Sequence, residues 1–121
     1  MNQYLIIILT TYPLLLGAAE HPERLYQERW CKNNHGKTEV VLSDRTRVDC
    51  LTDKYAIEFD FGKKWAEAIG QSLGYSIETL KQPGIVLILE KPKDYKYWIK
   101  LNTVIDHYKL PIKTWKIQPS D

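Results

Sequence analysis

The sequence predicts one mixed α/β domain, in which a mixed β-sheet is flanked by helices in the order α-β-β-β-α-β-α-β. The chain has 121 residues with 4 Trp and 8 Tyr, enough aromatic bulk for a single core. Its apolar residues alternate at a period of two in some segments and recur at spacings of three and four in others. The run "IVLILE" (85–90) is continuously apolar, which is typical of a strand covered on both faces.

Residues 1–19 are expected to be a cleaved export signal, which leaves 20–121 as the domain. The stretch "YLIIILTTYPLLLGAA" is apolar, and small residues at 17–19 precede Glu20, the first charged side chain. An uncleaved membrane anchor is the alternative, although polar residues and Pro13 interrupt a run that is short for a bilayer span. We therefore expect a periplasmic or secreted protein with no stable membrane association after cleavage.

The first half of the domain is predicted to be one helix and three strands. Helical spacing of apolar residues begins after Pro22, which suits a first turn, and gives a helix over 22–31. Three short strands follow, over 38–43, 46–51 and 55–61. The residues between them, Ser43–Arg45 and Thr52–Lys54, are suited to hairpin loops.

The second half is predicted to alternate helices and strands. Trp65, Ile69 and Leu73 recur every four residues and predict a helix over 63–80, which Pro83-Gly84 ends. The remaining elements are a strand at 85–90, a helix at 93–108 and a half-buried strand at 110–117.

The two cysteines, Cys31 and Cys50, are expected to form a structural disulfide, because they are an even pair in a small exported domain. A bridge would close a loop of about 20 residues and add about 3 kcal/mol on the chain-entropy model. A catalytic thiol needs a partnered histidine, and the spacing of the three histidines does not indicate one. Two thiols are also too few for a cysteine-rich zinc site.

The net charge of +2 is a mild bias, but it is unevenly distributed. The segment 81–116 contains eight lysines against three acidic residues. A solvated lysine-rich surface is the common explanation of such a bias, and basic charge alone does not indicate nucleic-acid binding.

Glu58 and Asp60 are expected to point together from the third strand, because alternate residues of a strand share a face. If Asp53-Lys54 is a two-residue loop, Asp49 of the second strand lies opposite Glu58. Clustered carboxylates repel one another unless a cation lies between them, and such oxygen ligands suit Mg²⁺ or Mn²⁺. The alternative is that both acids form the solvent face of an edge strand.

Lys64, Gln71 and Tyr75 lie within about 20° of one line along the predicted helix at 100° per residue. Ala68, between them, leaves room beside this stripe. A lysine at a helix start is unfavourable for the helix dipole, which favours another use for Lys64. A coincidence of surface residues is the alternative.

These residues together resemble the PD-(D/E)XK, or restriction-endonuclease-like, nuclease superfamily. The likeness covers roughly 28–117 and consists of the α-β-β-β-α-β order, an acid on the second strand and Glu-x-Asp on the third. The helix stretch "QSLGY" is similar to the Gln-x-x-x-Tyr motif of RecB-type nucleases in that superfamily.

The resemblance implies that Asp49 and Glu58, with Asp60, bind the metal ion. It also implies that Gln71 and Tyr75 orient the site or touch nucleic acid. Asp60 stands where the family normally has lysine. Some members take this charge from the neighbouring helix.

Lys64, followed by Lys63, is suitably placed to supply that charge. Glu28 of the first helix lies where some members keep an additional acid, although an ordinary surface charge is the commoner explanation. Glu39 of the first strand is a weaker candidate still.

The expected function is therefore that of an exported, Mg²⁺- or Mn²⁺-dependent nuclease that hydrolyses phosphodiester bonds. Its partner would be nucleic acid, DNA ahead of RNA. The alternative is a catalytically inactive exported binding or interaction protein on a nuclease-like scaffold, in which Asp60 marks a lost active site.

Overall fold

The computed structural model describes residues 22–120. The predicted export signal lies outside these described residues. The elements are α1 (Glu23–Asn33), β1 (Lys37–Val41), β2 (Arg47–Leu51), β3 (Tyr55–Phe61), α2 (Trp65–Thr79), β4 (Gln82–Ile88), α3 (Tyr95–Tyr108) and β5 (Lys113–Ile117). Short 3₁₀ turns, Gly62–Lys64 and Pro92–Asp94, precede α2 and α3. Within this part of the chain no helix is long and apolar enough to cross a membrane.

The five strands form one sheet, in which neighbours in space are also neighbours in the chain, β1-β2-β3-β4-β5. β1, β2 and β3 are antiparallel, whereas β3, β4 and β5 run parallel. Short loops join the antiparallel strands, and α2 and α3 form the crossover connections that parallel pairs require. The prediction of a mixed α/β fold is confirmed, as a five-stranded mixed sheet flanked by three helices.

The sheet buries different side chains on its two faces, because successive residues of β3 point in opposite directions. Ile57 and Phe59 pack on aromatic side chains of α1. On the opposite face lies the predicted apolar stripe of α2, formed by Trp65, Ile69 and Leu73, together with α3. β4 is buried along its length from its second residue, as its continuous apolar run predicted.

A disulfide joins Cys31 of α1 to Cys50 of β2, with Cα atoms 5.8 Å apart, which confirms the predicted bridge. Gly36 passes so close to the bridge that a Cβ there would lie 2.6 Å from both sulfur atoms. Only glycine fits such an approach of the backbone. The bridge therefore fixes α1 against the sheet.

The two hairpin loops lie where the sequence predicted them. Asp53 and Lys54 form a two-residue loop, closed by the N–H of Thr52 donating to the carbonyl oxygen of Tyr55 at 2.9 Å. The other loop ends at Arg45, whose φ of 70° is the left-handed conformation common at the end of three-residue hairpin loops.

β4 begins at Gln82, earlier than the predicted start at residue 85. Pro83 and Gly84, predicted only as helix-breaking residues, therefore belong to the strand. Gly84 lies under the Trp115 ring, and a Cβ there would be 2.9 Å from Cζ3 of that ring. Gly84, a helix-breaking residue, therefore also allows β4 and β5 to pack closely.

Candidate acidic site between the sheet and α2

Glu58 and Asp60 lie on the face of β3 that is covered by α2. β3 is the middle strand of the sheet, and the two side chains are 4% and 6% exposed. The alternative that they form the solvent face of an edge strand is therefore wrong. Two carboxyl groups buried side by side are costly unless protons or cations compensate them.

Asp49 joins these two acids from β2. The β2–β3 pairing includes Cys50 with Ile57 and ends there, so the register brings Asp49 opposite Glu58, as predicted. The Asp49 carboxylate accepts a hydrogen bond at 2.8 Å from the N–H of Phe59, in place of a backbone acceptor. The side chain of Asp49 is thus fixed to the strand that carries the other two acids.

Glu39 of β1 is the strained neighbour of Asp49. The β1–β2 pairs on either side are Thr38 with Cys50 and Val40 with Val48, so both residues lie at a gap in the ladder. Glu39 has a φ of 55°, an uncommon conformation for a residue with a side chain. Strain of this kind persists only where surrounding contacts hold it.

Gln27 of α1 supplies those contacts. Its Nε2 donates to Oε1 of Glu39 and to the carbonyl oxygen of Asp49, both at 2.9 Å, and the side chain is 1% exposed. The buried Gln27 amide therefore donates hydrogen bonds to both residues at the gap in the ladder, Glu39 and Asp49. Gln27 was not among the predicted site residues, although it lies four residues before Cys31 and so on the inward side of the helix.

Glu23, in the first turn of α1, is a further acid of this site. Burial and the negative charges of Asp49 and Glu39 raise the pKa of Glu23 to about 7, while Lys64 opposes the shift. Glu23 was not among the predicted site residues, and Glu28 was the acid considered on this helix. Glu28 is exposed and pairs with Arg24 of the same helix at 2.8 Å, so it is an ordinary surface charge.

Asp60 contains the least satisfied atom of the site. Its Oδ2 is buried and has no hydrogen-bond partner among the described residues. Burial and the charges of Glu23 and Asp49 raise the pKa of Asp60 to about 7, again opposed by Lys64. Lys64 lies in the 3₁₀ turn directly after β3, so it is the cation placed to act on this carboxyl group.

The five acids Glu23, Glu39, Asp49, Glu58 and Asp60 are called the acidic cluster below. Within it, Asp49 and Glu58 are joined by a hydrogen bond. Burial, that hydrogen bond and the neighbouring charges raise the pKa of Glu58 well above its usual range. Burial also raises the pKa of Asp49, whereas hydrogen bonds from Glu58 and Phe59 lower it. A protonated Glu58 that donates to an ionised Asp49 explains why their hydrogen bond raises the pKa of Glu58 and lowers that of Asp49.

Gln71 and Tyr75 are brought together, as the predicted helical stripe requires. They line a pocket of about 340 Å³, here called the α2 pocket, which Arg47 and the first hairpin loop complete. Gln71 is exposed, whereas Tyr75 is 8% exposed. Burial and the charges of Glu58 and Asp49 raise the pKa of Tyr75, so its hydroxyl group remains a hydrogen-bond donor. Tyr75 thus connects the α2 pocket to the acidic cluster.

The acids fit a hard cation in chemistry but are not arranged as its ligands. Among residues 22–120, no group of three or more His, Cys, Asp or Glu side chains is placed to hold a metal ion. Positive charge is lacking at two places in the cluster. One is the buried Oδ2 of Asp60, which has no partner among the described residues, and the other is the Asp49–Glu58 pair, which shares a proton. Carboxylate oxygens are the donors that Mg²⁺ and Mn²⁺ prefer.

No family model, no curated protein and no solved structure matches this chain.

Proposed function

We propose that this protein is a metal-dependent nuclease on a restriction-endonuclease-like core. The observation that carries the proposal is the burial of Glu58 and Asp60 beside half-buried Asp49, with Oδ2 of Asp60 unpartnered among the described residues. A fold does not retain such a costly group for stability, and perturbed carboxyl groups beside a pocket are typical of functional sites.

Asp49, Glu58 and Asp60 are the residues that would hold Mg²⁺ or Mn²⁺. A divalent ion supplies charge neutralisation and activation of water in phosphodiester hydrolysis when it is bound. Asp49 is oriented by the Phe59 N–H, and Asp60 offers an oxygen that no other described residue binds.

Lys64 would replace the lysine that the superfamily normally has at the position of Asp60. Its charge acts on both Asp60 and Glu23, where it opposes the rise in their pKa values. Its ammonium group is therefore placed to attract a phosphate oxygen at the edge of the acidic cluster. Gln71 and Tyr75 line the adjoining α2 pocket and would contact the nucleic-acid strand there.

Helix α3, which carries two exposed lysines, adjoins the same end of the site. The ring of Tyr97 packs on Gly62, where a Cβ would lie 2.9 Å from Cδ2 of that ring. The start of α3 therefore lies against the turn that carries Lys64, and Lys96 and Lys100 are exposed on that helix. These lysines would neutralise phosphates without reading base sequence, on DNA ahead of RNA.

The test is cleavage of DNA and RNA by purified protein with Mg²⁺ or Mn²⁺, and its loss in EDTA. The double substitution Asp49→Asn with Glu58→Gln should lower the rate by about 100-fold or more, because it removes two of the carboxylates that would hold the metal ion. Full activity in this variant would show that the assignment is wrong.

Helix α1 offers a matched pair of acids for the same assay. Glu23→Gln should slow cleavage, since Glu23 belongs to the acidic cluster, and Glu28→Gln should leave the rate unchanged. Equal rates for the two variants would remove Glu23 from the site.

A second candidate is an inactive binding protein on the same scaffold. The hydrogen-bonded Asp49–Glu58 pair and the lack of a ligand arrangement among residues 22–120 favour it. Calorimetric titration with Mn²⁺ separates the two functions. Binding that Glu58→Gln abolishes supports the nuclease, and the absence of binding supports the inactive scaffold.

We also propose that the protein acts outside the cytoplasm. The Cys31–Cys50 bridge supports this placement, because structural disulfides persist in oxidising compartments. N-terminal sequencing of exported material would identify the cleavage site. Material that keeps residues 1–19 would instead favour the membrane anchor.

A further inference from the structure

A second concave site lies on the face of the sheet opposite the acidic cluster. It is a pocket of about 310 Å³ between the end of α1 and the start of β3. Its walls are Trp30 of α1, Tyr55 of β3 and Trp115 of β5, and it is called the aromatic pocket below. Tyr55 begins β3 on the α1 side, whereas Glu58 and Asp60 face α2, so the two sites share no side chain.

The three rings keep part of their surface open to the pocket. Trp115 meets Tyr55 at a centroid distance of 5.0 Å and Trp30 at 5.2 Å, with interplanar angles of 89° and 62°. Such edge-to-face contacts position the rings without stacking them flat on one another. All three side chains are half-buried. A flat aromatic ligand can therefore gain stacking contacts in this pocket.

The rim of the aromatic pocket is polar and carries one lysine. His35 and Lys54 both line the pocket, and Nζ of Lys54 is 5.3 Å from the Tyr55 ring centroid. No ion pair in the described chain engages either side chain. Asn34 and Asp53 add an amide and one carboxylate. A ligand with a planar ring, polar edges and an attached phosphate matches this combination.

The aromatic pocket is held rigid from both sides. The Cys31–Cys50 disulfide ties the wall next to Trp30 to the strand that leads into the Thr52–Tyr55 loop. Nζ of Lys81 donates to the carbonyl oxygens of Thr52 and Asp53, both at 2.8 Å, and fixes the opposite wall. A pocket whose walls are fixed in this way loses little conformational entropy when a ligand binds.

We propose that the aromatic pocket binds a nucleobase with its phosphate, taken either from a free nucleotide or from a single strand. The base stacks among Trp30, Tyr55 and Trp115, and the phosphate lies toward Lys54 and His35. This inference does not rest on the proposed nuclease activity, because it involves neither the acidic cluster nor a metal ion.

The test is NMR observation of the four tryptophan indole N–H signals in EDTA. Titration with AMP, or with a short single-stranded oligonucleotide, should shift the signals of Trp30 and Trp115. Trp65 and Trp98 lie on the other face of the sheet and serve as internal controls in the AMP titration. Shifts with AMP identify a free-nucleotide site, and shifts with the oligonucleotide alone identify a strand site.

Substitutions in the aromatic pocket test the contribution of single side chains in the same titration. Trp115→Leu should weaken binding about tenfold or more through lost stacking, and Lys54→Ala should weaken it through the lost phosphate contact. Lys109→Ala, an exposed lysine at the end of α3 on the other face, is the matched control and should bind normally. The inference is overturned if no nucleobase probe moves Trp30 or Trp115, or if ribose 5-phosphate produces the same shifts as AMP.

Discussion

At the scale of single residues, Gln27 links α1 to the acidic cluster through two buried hydrogen bonds. Gln27→Met keeps the length of the side chain but removes both hydrogen bonds, to Glu39 and to the Asp49 carbonyl oxygen. We expect the free energy of unfolding to fall by about 1–3 kcal/mol, because buried acceptors lose their partner. Urea denaturation measures this change in the free energy of unfolding.

Glu28→Gln is the matched control in that experiment. Glu28 lies beside Gln27 in the sequence but is exposed, and surface substitutions usually change stability by less than about 0.5 kcal/mol. A Gln27→Met variant as stable as this control would show that its two hydrogen bonds are not needed.

The site was predictable from sequence where strand alternation decides the outcome. Alternation and a two-residue loop were sufficient to bring Asp49 to Glu58 and Asp60. Helical spacing was likewise sufficient to bring Gln71 to Tyr75. Local periodicity fixes these relations, whatever the rest of the fold.

Glu23 and Gln27 could not be predicted in the same way. Which side of α1 meets the sheet depends on how the helix docks, and this is set by long-range packing and by the disulfide. The buried state of Glu58 and Asp60 was also hidden, since it depends on β4 and β5 extending the sheet beyond β3.

At the scale of elements, glycines in α2 and beside α1 have opposite roles. Gly70 lies within α2, and a Cβ there meets nothing within 4 Å. Gly70→Ala should raise the free energy of unfolding by about 0.5–1 kcal/mol, because alanine loses less backbone entropy in a helix. Thermal and urea unfolding measure the change.

Gly36→Ala is the counterpart and should destabilise the protein. The added Cβ would lie 2.6 Å from both disulfide sulfur atoms, so α1 or the bridge must shift. Two variants of the same type should thus change stability in opposite directions. A Gly36→Ala protein with an intact bridge and unchanged stability would contradict the packing described for this element.

The fold was predictable at this scale in its sequence of elements, and less so at their ends. The run 85–90 indicated β4, but Pro83 and Gly84 concealed its true start, because both are usually signals of a turn. Contact with the Trp115 ring of a later strand favours the extended backbone there, and local propensity carries no information about that contact.

At the scale of the whole molecule, the acidic cluster determines how stability depends on pH. Glu23 and Asp60 have pKa values of about 7 in the folded protein, above the unfolded values near 4. The folded state therefore holds protons that the unfolded state releases, and Glu58 acts in the same direction. This stabilisation is complete below pH 4 and is lost as the pH rises through 7.

We accordingly expect the melting temperature in EDTA to fall between pH 5 and pH 8, a window set by these shifts. Mn²⁺ should reduce the fall if a cation replaces the protons. Glu58→Gln, which removes one titrating group, should flatten the curve. A melting temperature that rises across this window would contradict the buried, proton-holding state of the cluster.

The order of strands across the sheet has a consequence for biosynthesis. Because β1 to β5 lie side by side in chain order, no later strand has to insert between two earlier ones. Each strand can add to an existing edge as it emerges from a ribosome or a translocation channel. Both cysteines belong to the first half of the chain, so the bridge can close before β4 and β5 have been delivered. The topology thus suits a chain that folds vectorially, from its N-terminal end.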